Sequence, residues 1–291
     1  MKRFYENFPY LNIEELISYH SVFEGYDNLA LLNDHDSLSK NILENILKKY
    51  NQLKEQFIFS DDDKFLADSY KFLHRLSIGS RKSYSAYHKD ISHYRGKAIY
   101  KNLFEINIIS REYSREDISC ESGKHKKKKY RGYQVEDKIK ICKNFHRFWY
   151  AFIYPYEDEL RVGEVENAYK NIEENLDNFI SLNFEYLSNK LLKEKFCDII
   201  ESGSYWDRYV ELDLLAKSSK QKIYVGECKW KNHKISGNIL NKLKKTSFKA
   251  GFEVDYFVLF SKSGFSKELL KNRDKNLILY DLEAFKGLLD G

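Results

Sequence analysis

Two runs decide how this chain folds: Glu211-Leu212-Asp213-Leu214-Leu215-Ala216 and, one short turn later, Ile223-Tyr224-Val225-Gly226-Glu227-Cys228-Lys229-Trp230. Residues 209–216 predict a strand with Val210, Leu212 and Leu214 on one face and Glu211 and Asp213 on the other. Residues 222–230 predict a second strand, in which Ile223, Val225, Glu227 and Lys229 alternate with Tyr224, Gly226, Cys228 and Trp230. A turn around residues 218–221 makes the strands neighbours. Upstream, Ile172, Leu176, Phe179, Ile180, Phe184, Leu187 and Leu191 recur every three or four residues and predict one long amphipathic helix from about residue 166, with Glu185 beside its apolar stripe. Downstream, a helix over 236–249, a buried-type strand over 256–260, a short helix after Gly264 and a last strand over 277–280 complete an α/β sandwich, a mixed sheet flanked by helices.

Charges inside such apolar strands are costly unless they are paired or bind a metal. Asp213 with Glu227-Cys228-Lys229 matches the D...(D/E)-x-K pattern of the restriction-endonuclease-like nucleases. Water attacks a phosphodiester only when the growing charge is neutralised and a hydroxide is at hand, and a divalent cation supplies both. Mg²⁺ keeps several waters, so two protein carboxylates suffice to hold it. Asp213 and Glu227 are the expected ligands of Mg²⁺ or Mn²⁺, and Lys229 the residue that orients the water and stabilises the transition state. An acid from the preceding helix completes many such sites. Glu185 is the candidate for this third, metal-binding and catalytic place, with Glu211 in competition. The alternative is an edge-strand salt bridge between Lys229 and the acids.

The chain has 291 residues, which at about 100 to 200 residues per domain predicts two domains. Hydrophobic residues at 42% and charged residues at 32% exclude a disordered or fibrous chain. The longest uncharged apolar stretch, residues 148–156, is far below the roughly 20 residues of a membrane span. No apolar run follows Lys2 and Arg3, so no secretory signal is expected and the expected location is cytoplasmic. Cys120, Cys142, Cys197 and Cys228 form no C-x-x-C pair, which excludes a disulfide framework and a recognisable structural zinc site.

Charge is unevenly placed. The net charge is +5, but residues 71–147 carry +12 and the rest −7. The densest part, Lys124-His125-Lys126-Lys127-Lys128-Lys129-Tyr130-Arg131, lies between Gly123 and Gly132 and reads as an exposed loop, either simply solvated or set to displace counterions from nucleic acid. Residues 13–59 carry apolar positions at helical spacing. Helical patterns over 64–76, 83–88 and 94–106, then strands over 108–113 and 129–135, predict a winged helix-turn-helix over residues 63–137. In that fold residues 94–106 form the recognition helix, which offers Arg95, Lys97 and Lys101 to DNA, and the wing offers Lys126, Lys127, Lys128, Lys129 and Arg131. A winged helix used only for packing is the alternative.

Phe145-His146-Arg147-Phe148-Trp149-Tyr150-Ala151-Phe152-Ile153-Tyr154-Pro155, Phe184-Glu185, Tyr205-Trp206, residues 211–216 and residues 225–230 together resemble the C-terminal region of archaeal and bacterial AAA-type ATPases that end in a restriction-endonuclease-like domain. The resemblance implies a lid remnant over 1–62, the winged helix over 63–137, an aromatic connector over 138–164 and the nuclease-like domain over 165–291. No G-x-x-x-x-G-K-[ST] sequence is present, so the phosphate-cradling loop of the ATPase is missing. The expected function is divalent-metal-dependent cleavage of DNA, with DNA, a second copy of the chain or a separate ATPase subunit as partners and no membrane. The alternative is a catalytically inactive DNA-binding regulator, or a scaffold that docks such an ATPase.

Overall fold

The computed structural model of the protein describes residues 1–82, 89–115 and 135–289. The N-terminal part is helical: Lys2–Asn7 (α1), Ile13–Phe23 (α2), Leu38–Ile42 (α3), Tyr50–Leu53 (α4), Asp63–Ile78 (α5) and His93–Glu105 (α6). Local chemistry fixes the helix starts. Asn12 and Glu15 form a capping box on α2, the Asp62 carboxylate accepts the Phe65 N–H ahead of α5, and the Ser92 hydroxyl accepts the Arg95 N–H ahead of α6. A two-stranded antiparallel ribbon of Ile109–Glu112 (β1) and Lys138–Ile141 (β2) follows.

Asn144–Phe148 (α7) runs into a π-helical turn over Trp149–Ile153, and Glu157–Arg161 (α8) closes the segment. This aromatic stretch is the centre of the first core. Phe57 stacks on Trp149 with ring centroids 4.1 Å apart and meets Tyr150 edge-on at 5.7 Å, an arrangement that adds aromatic attraction to plain burial.

Glu166–Lys195 (α9) is a 30-residue helix that serves both halves. Its Ala168, Ile172 and Phe179 lie in the first core, whereas Ile180, Phe184, Leu187 and Leu191 pack on the C-terminal sheet. That sheet is mixed, in the order Ile199–Trp206 (β3), Glu211–Ser218 (β4), Ile223–Lys229 (β5), Tyr256–Ser261 (β6) and Leu277–Tyr280 (β7). The first three strands are antiparallel, and β5, β6 and β7 run parallel. α9 and the 3₁₀ turn Leu282–Leu288 cover one face against Leu214, Tyr224 and Phe260. Gly237–Ala250 (α10) and Lys267–Lys271 (α11) cover the other against Leu215, Val225 and Leu259.

The mixed sheet between helices agrees with the sequence reading, and three details differ. β3 was not expected; its centre, Glu201-Ser202-Gly203-Ser204, lacks the apolar alternation that marks a strand. Among the described residues β1 pairs with Lys138–Ile141; the expected strand over 129–135, save its last residue, and the expected helix over 83–88 lie outside the described residues. β4 starts at Glu211 rather than at 209, because the Asp207 carboxylate accepts the N–H groups of Tyr209 and Val210 and holds them in a turn.

Polar contacts join the ribbon to the sheet domain. Glu112 accepts from Arg81 and, at 3.1 Å, from the Tyr186 hydroxyl of α9. Lys138 pairs with Glu211 of β4 and lies 4.5 Å from the Trp206 ring centroid. The Ser114 hydroxyl donates to Trp206 O at 2.6 Å, and the Arg115 N–H donates to Ser204 O at 3.2 Å, so the chain leaving β1 runs along the edge of β3.

Candidate active site at the split between β4 and β5

Pairing geometry creates the site. Gly203 pairs with Leu215 but Tyr205 pairs with Leu212, so β4 carries one extra residue at Asp213-Leu214 opposite Ser204. Such a bulge bends its strand and re-aims side chains. Leu212 accordingly faces the α10 side while Leu214 faces α9, rather than the two sharing a face as simple alternation predicts. On its other edge β4 pairs with β5 only as far as Leu214↔Gly226, whereas β5 follows β6 to Lys229↔Ser261. The two strands part at Asp213. The Cys228 N–H, just past the last rung, donates to Asp213 Oδ2 at 2.9 Å.

Glu227 and Lys229 lie on β5 at the same split, on the face of Val225. Lys229 Nζ is 2.5 Å from Glu227 Oε1, and their side chains are 31% and 14% exposed, so the pair is largely but not fully withdrawn from water. β5 lies between β4 and β6, so the pair does not belong to an edge strand. Burial lowers the pKa of the Lys229 ammonium, but Glu227 and Asp213 outweigh it and hold the group above its ordinary value. The Asp213 carboxyl is pushed up to about 6, first by burial and then by Glu227, against the opposing Cys228 N–H.

Glu185 projects from α9 on the other side of Asp213. Burial first, then the Asp213 charge, push its carboxyl up to about 8. Glu211, its competitor, is 59% exposed at the side chain and engaged by Lys138. Of the two, Glu185 is the acid enclosed beside Asp213.

The donor set is hard oxygen. Among the described residues no three His, Cys, Asp or Glu side chains form a ready metal cage. Asp213 and Glu227 fit a cation of the Mg²⁺ type, which takes two carboxylates and fills its remaining positions with water and phosphate oxygens. Burial first and the Glu227 charge second raise the Asp213 carboxyl, and a cation between the two acids would offset that repulsion. Glu185 stands beside that pair rather than completing a cage.

A pocket of about 220 Å³ opens from Asp213 and Glu185 toward the ribbon. Arg111, Arg115, Lys140, Asn189 and Ser202 line it, and none was singled out from the sequence. They come from four separate segments; membership of the basic island was the only signal for Arg111, Arg115 and Lys140, and Asn189 and Ser202 had none.

The candidate DNA contacts separate. Lys97 and Lys101 are exposed on α6, and Lys101 is 3.7 Å from Glu105. Arg95 is 28% exposed at the side chain and is held by Asp68 at 2.8 Å and Asp62 at 3.6 Å, so it ties α6 to α5. Lys126, Lys127, Lys128, Lys129 and Arg131 lie outside the described residues.

A family model for archaeal and bacterial proteins of unknown function, DUF234, matches residues 149–245. The match runs from the aromatic turn through α9, β3, β4 and β5 into α10, and so contains the acids and Lys229. No curated protein and no solved structure matches the chain. Among the described residues no helix is long and apolar enough to cross a membrane.

Proposed function

We propose that the protein binds DNA through its helix-and-ribbon segment and hydrolyses DNA phosphodiesters with Mg²⁺ or Mn²⁺ held by Asp213 and Glu227. The observation that carries this reading is the split between β4 and β5, where two carboxylates and an ammonium converge at the end of a central strand. Support for a restriction-endonuclease-like domain comes from the long helix α9 ahead of a mixed sheet with helices on both faces. Support for a winged helix comes from the order α5, α6, β1, β2 and from an isolated antiparallel bridge between Lys82, ahead of α6, and Lys138. The resemblance to the C-terminal region of AAA-type ATPases fits the archaeal and bacterial spread of the matching family.

The bound cation would supply positive charge against the phosphate and ease deprotonation of the attacking water. The chain's own residues do the rest. Asp213 is oriented by the Cys228 N–H, and Lys229, pinned by Glu227, presents a compact ammonium to the water and to the charge growing on the phosphate. Burial and then the Asp213 charge push the Glu185 carboxyl upward, toward the protonated form that can donate a hydrogen bond beside Asp213.

The 2.5 Å contact between Lys229 and Glu227 favours one second reading, an ion pair that closes the split in a catalytically idle DNA-binding protein or ATPase-docking scaffold. Incubation with linear, branched and single-stranded DNA in Mg²⁺, Mn²⁺ or EDTA separates the two. Metal-dependent cleavage lost in Asp213→Ala supports the nuclease; binding without cleavage in every condition supports the scaffold.

A further inference from the structure

We propose that the outer face of α10 is a docking surface for an unpaired DNA strand, with Phe248 as the platform for a base and Lys242, Lys245 and Lys249 as the contacts to its phosphates. The fate of that strand rests on the nuclease reading, but the surface is built apart from the acids at the split. α10 carries Lys242, Lys244, Lys245 and Lys249 and no acid, a charge of +4 in a chain whose net outside residues 71–147 is −7.

Helical spacing sorts the side chains of α10. Leu240, Leu243 and Ser247 are buried toward the sheet, whereas Asn238, Asn241, Lys242, Lys245, Phe248 and Lys249 are exposed and recur at the three- and four-residue steps that share a helix face. Lys244 is 3.8 Å from Asp274, but among the described residues no carboxylate pairs with Lys242, Lys245 or Lys249. Lys249 Nζ lies 5.9 Å from the Tyr209 ring centroid, which Arg208 approaches to 5.8 Å, so a third cation and a second ring adjoin the face. Acids are few at this end of the helix. Asp255 is taken by Lys222 at 2.7 Å, Glu268 lies at the other end beside Gly237, and Glu253 is the one acid within five residues of Lys249 in sequence. The charge that remains is positive and favours an anion.

Phe248 decides which anion fits. It is 85% exposed and so adds little to the core beneath α10. An aromatic ring standing in water among lysines suits a partner that presents flat faces and phosphates together, which is what an unpaired nucleic-acid strand does. In a duplex the base faces are already stacked on one another. A lipid surface is the poorer fit, because helices that lie on membranes sink a broad apolar face, and the apolar face of α10 is packed on Leu215, Val225 and Leu259. The surface also leads to the split. α10 covers the face of the sheet that holds Val225, the face on which Glu227 and Lys229 lie. Tyr209, beside Lys249, is four residues ahead of Asp213 in the turn that enters β4.

The test measures binding without cleavage. Fluorescent oligothymidylate, an abasic oligonucleotide of the same length and a duplex are each titrated in EDTA at several salt concentrations. Phe248→Ala should weaken oligothymidylate binding about tenfold, the size of one lost base stack, with its salt slope unchanged, and should leave the abasic strand at the wild-type affinity. Lys245→Ala and Lys249→Ala should weaken both single strands and lower the log-log salt slope by about 0.7 each. All three side chains are exposed, so the variants should melt at the wild-type temperature. Wild-type affinity for oligothymidylate in all three variants would overturn the surface, and so would losses confined to the duplex. Binding of anionic phosphatidylserine vesicles that the same substitutions abolish, without binding of oligothymidylate, would replace it with a lipid surface. The expected losses in a protein that cleaves nothing in Mn²⁺ would leave the surface and remove the nuclease. Unaltered binding by the variants alongside Asp213-dependent cleavage would do the reverse.

Discussion

Replacing Glu185 with glutamine removes a carboxyl whose anion the fold penalises. Its pKa stands at about 8 against an ordinary 4.5, because burial and then Asp213 penalise the anion. Below pH 4.5 the group is protonated in the folded and the unfolded chain alike. Between 4.5 and about 8 the unfolded chain releases the proton while the folded chain keeps it, so this group makes wild-type stability fall as pH rises. Above that window both forms are ionised and the loss stays constant. At about 1.4 kcal/mol per pKa unit, the window corresponds to a loss on the order of a few kcal/mol. Asp213, raised to about 6, acts in the same direction over a narrower range, so the informative quantity is the difference between the two proteins. Urea denaturation in EDTA, followed from pH 5 to pH 8.5, should give nearly equal stabilities at the acid end. Near pH 8 the Glu185→Gln variant should be the more stable by about 2 kcal/mol. Parallel profiles across the whole range would refute the claim that burial beside Asp213 penalises the Glu185 anion.

Phe57→Ala removes the ring stacked on Trp149 and should cost about 3–5 kcal/mol, measured by chemical denaturation, because it leaves a cavity among Phe145, Trp149 and Tyr150. Arg95→Ala should lower the melting temperature by removing the nearer of the two cations beside the buried Asp68 yet leave the salt slope of DNA binding unchanged, which a parallel melt and titration would check. Millimolar Mg²⁺ should raise the melting temperature of the wild type but not that of Glu227→Ala, since a ligand stabilises only the fold that binds it; equal shifts would remove Glu227 from the metal site.

The α/β half was legible because its signals are local. The stripe of α9, the alternation of β5 and the apolar runs of β6 and β7 each state their element in a few residues, and Glu227 and Lys229 two apart on one strand follow from the pleat. β3 was hidden because Glu201, Ser202, Gly203 and Ser204 are polar or small on an edge strand that carries the ribbon on one side. The bulge left one trace, the consecutive Leu214 and Leu215, which break the alternation of β4. Pairings between distant segments left none. Arg81 with Glu112 and Tyr186, Lys138 with Glu211, and Arg95 with Asp62 and Asp68 all depend on how helices and ribbon meet. For that reason Arg95 reads from the sequence as a DNA contact although its side chain is held by Asp62 and Asp68, and of the pocket lining only Asp213 and Glu185 were read.

Cleavage by matched preparations of the wild type, Asp213→Ala and Lys229→Ala, in Mn²⁺ and in EDTA, is the most direct measurement of the proposed chemistry. The wild type should cut DNA only with metal. Asp213→Ala should bind DNA but cut none, and Lys229→Ala should still bind metal while losing a factor of about 10² or more, the usual effect of removing one transition-state stabiliser. Cleavage that persists in EDTA or in Asp213→Ala would contradict a metal-dependent site at the split between β4 and β5.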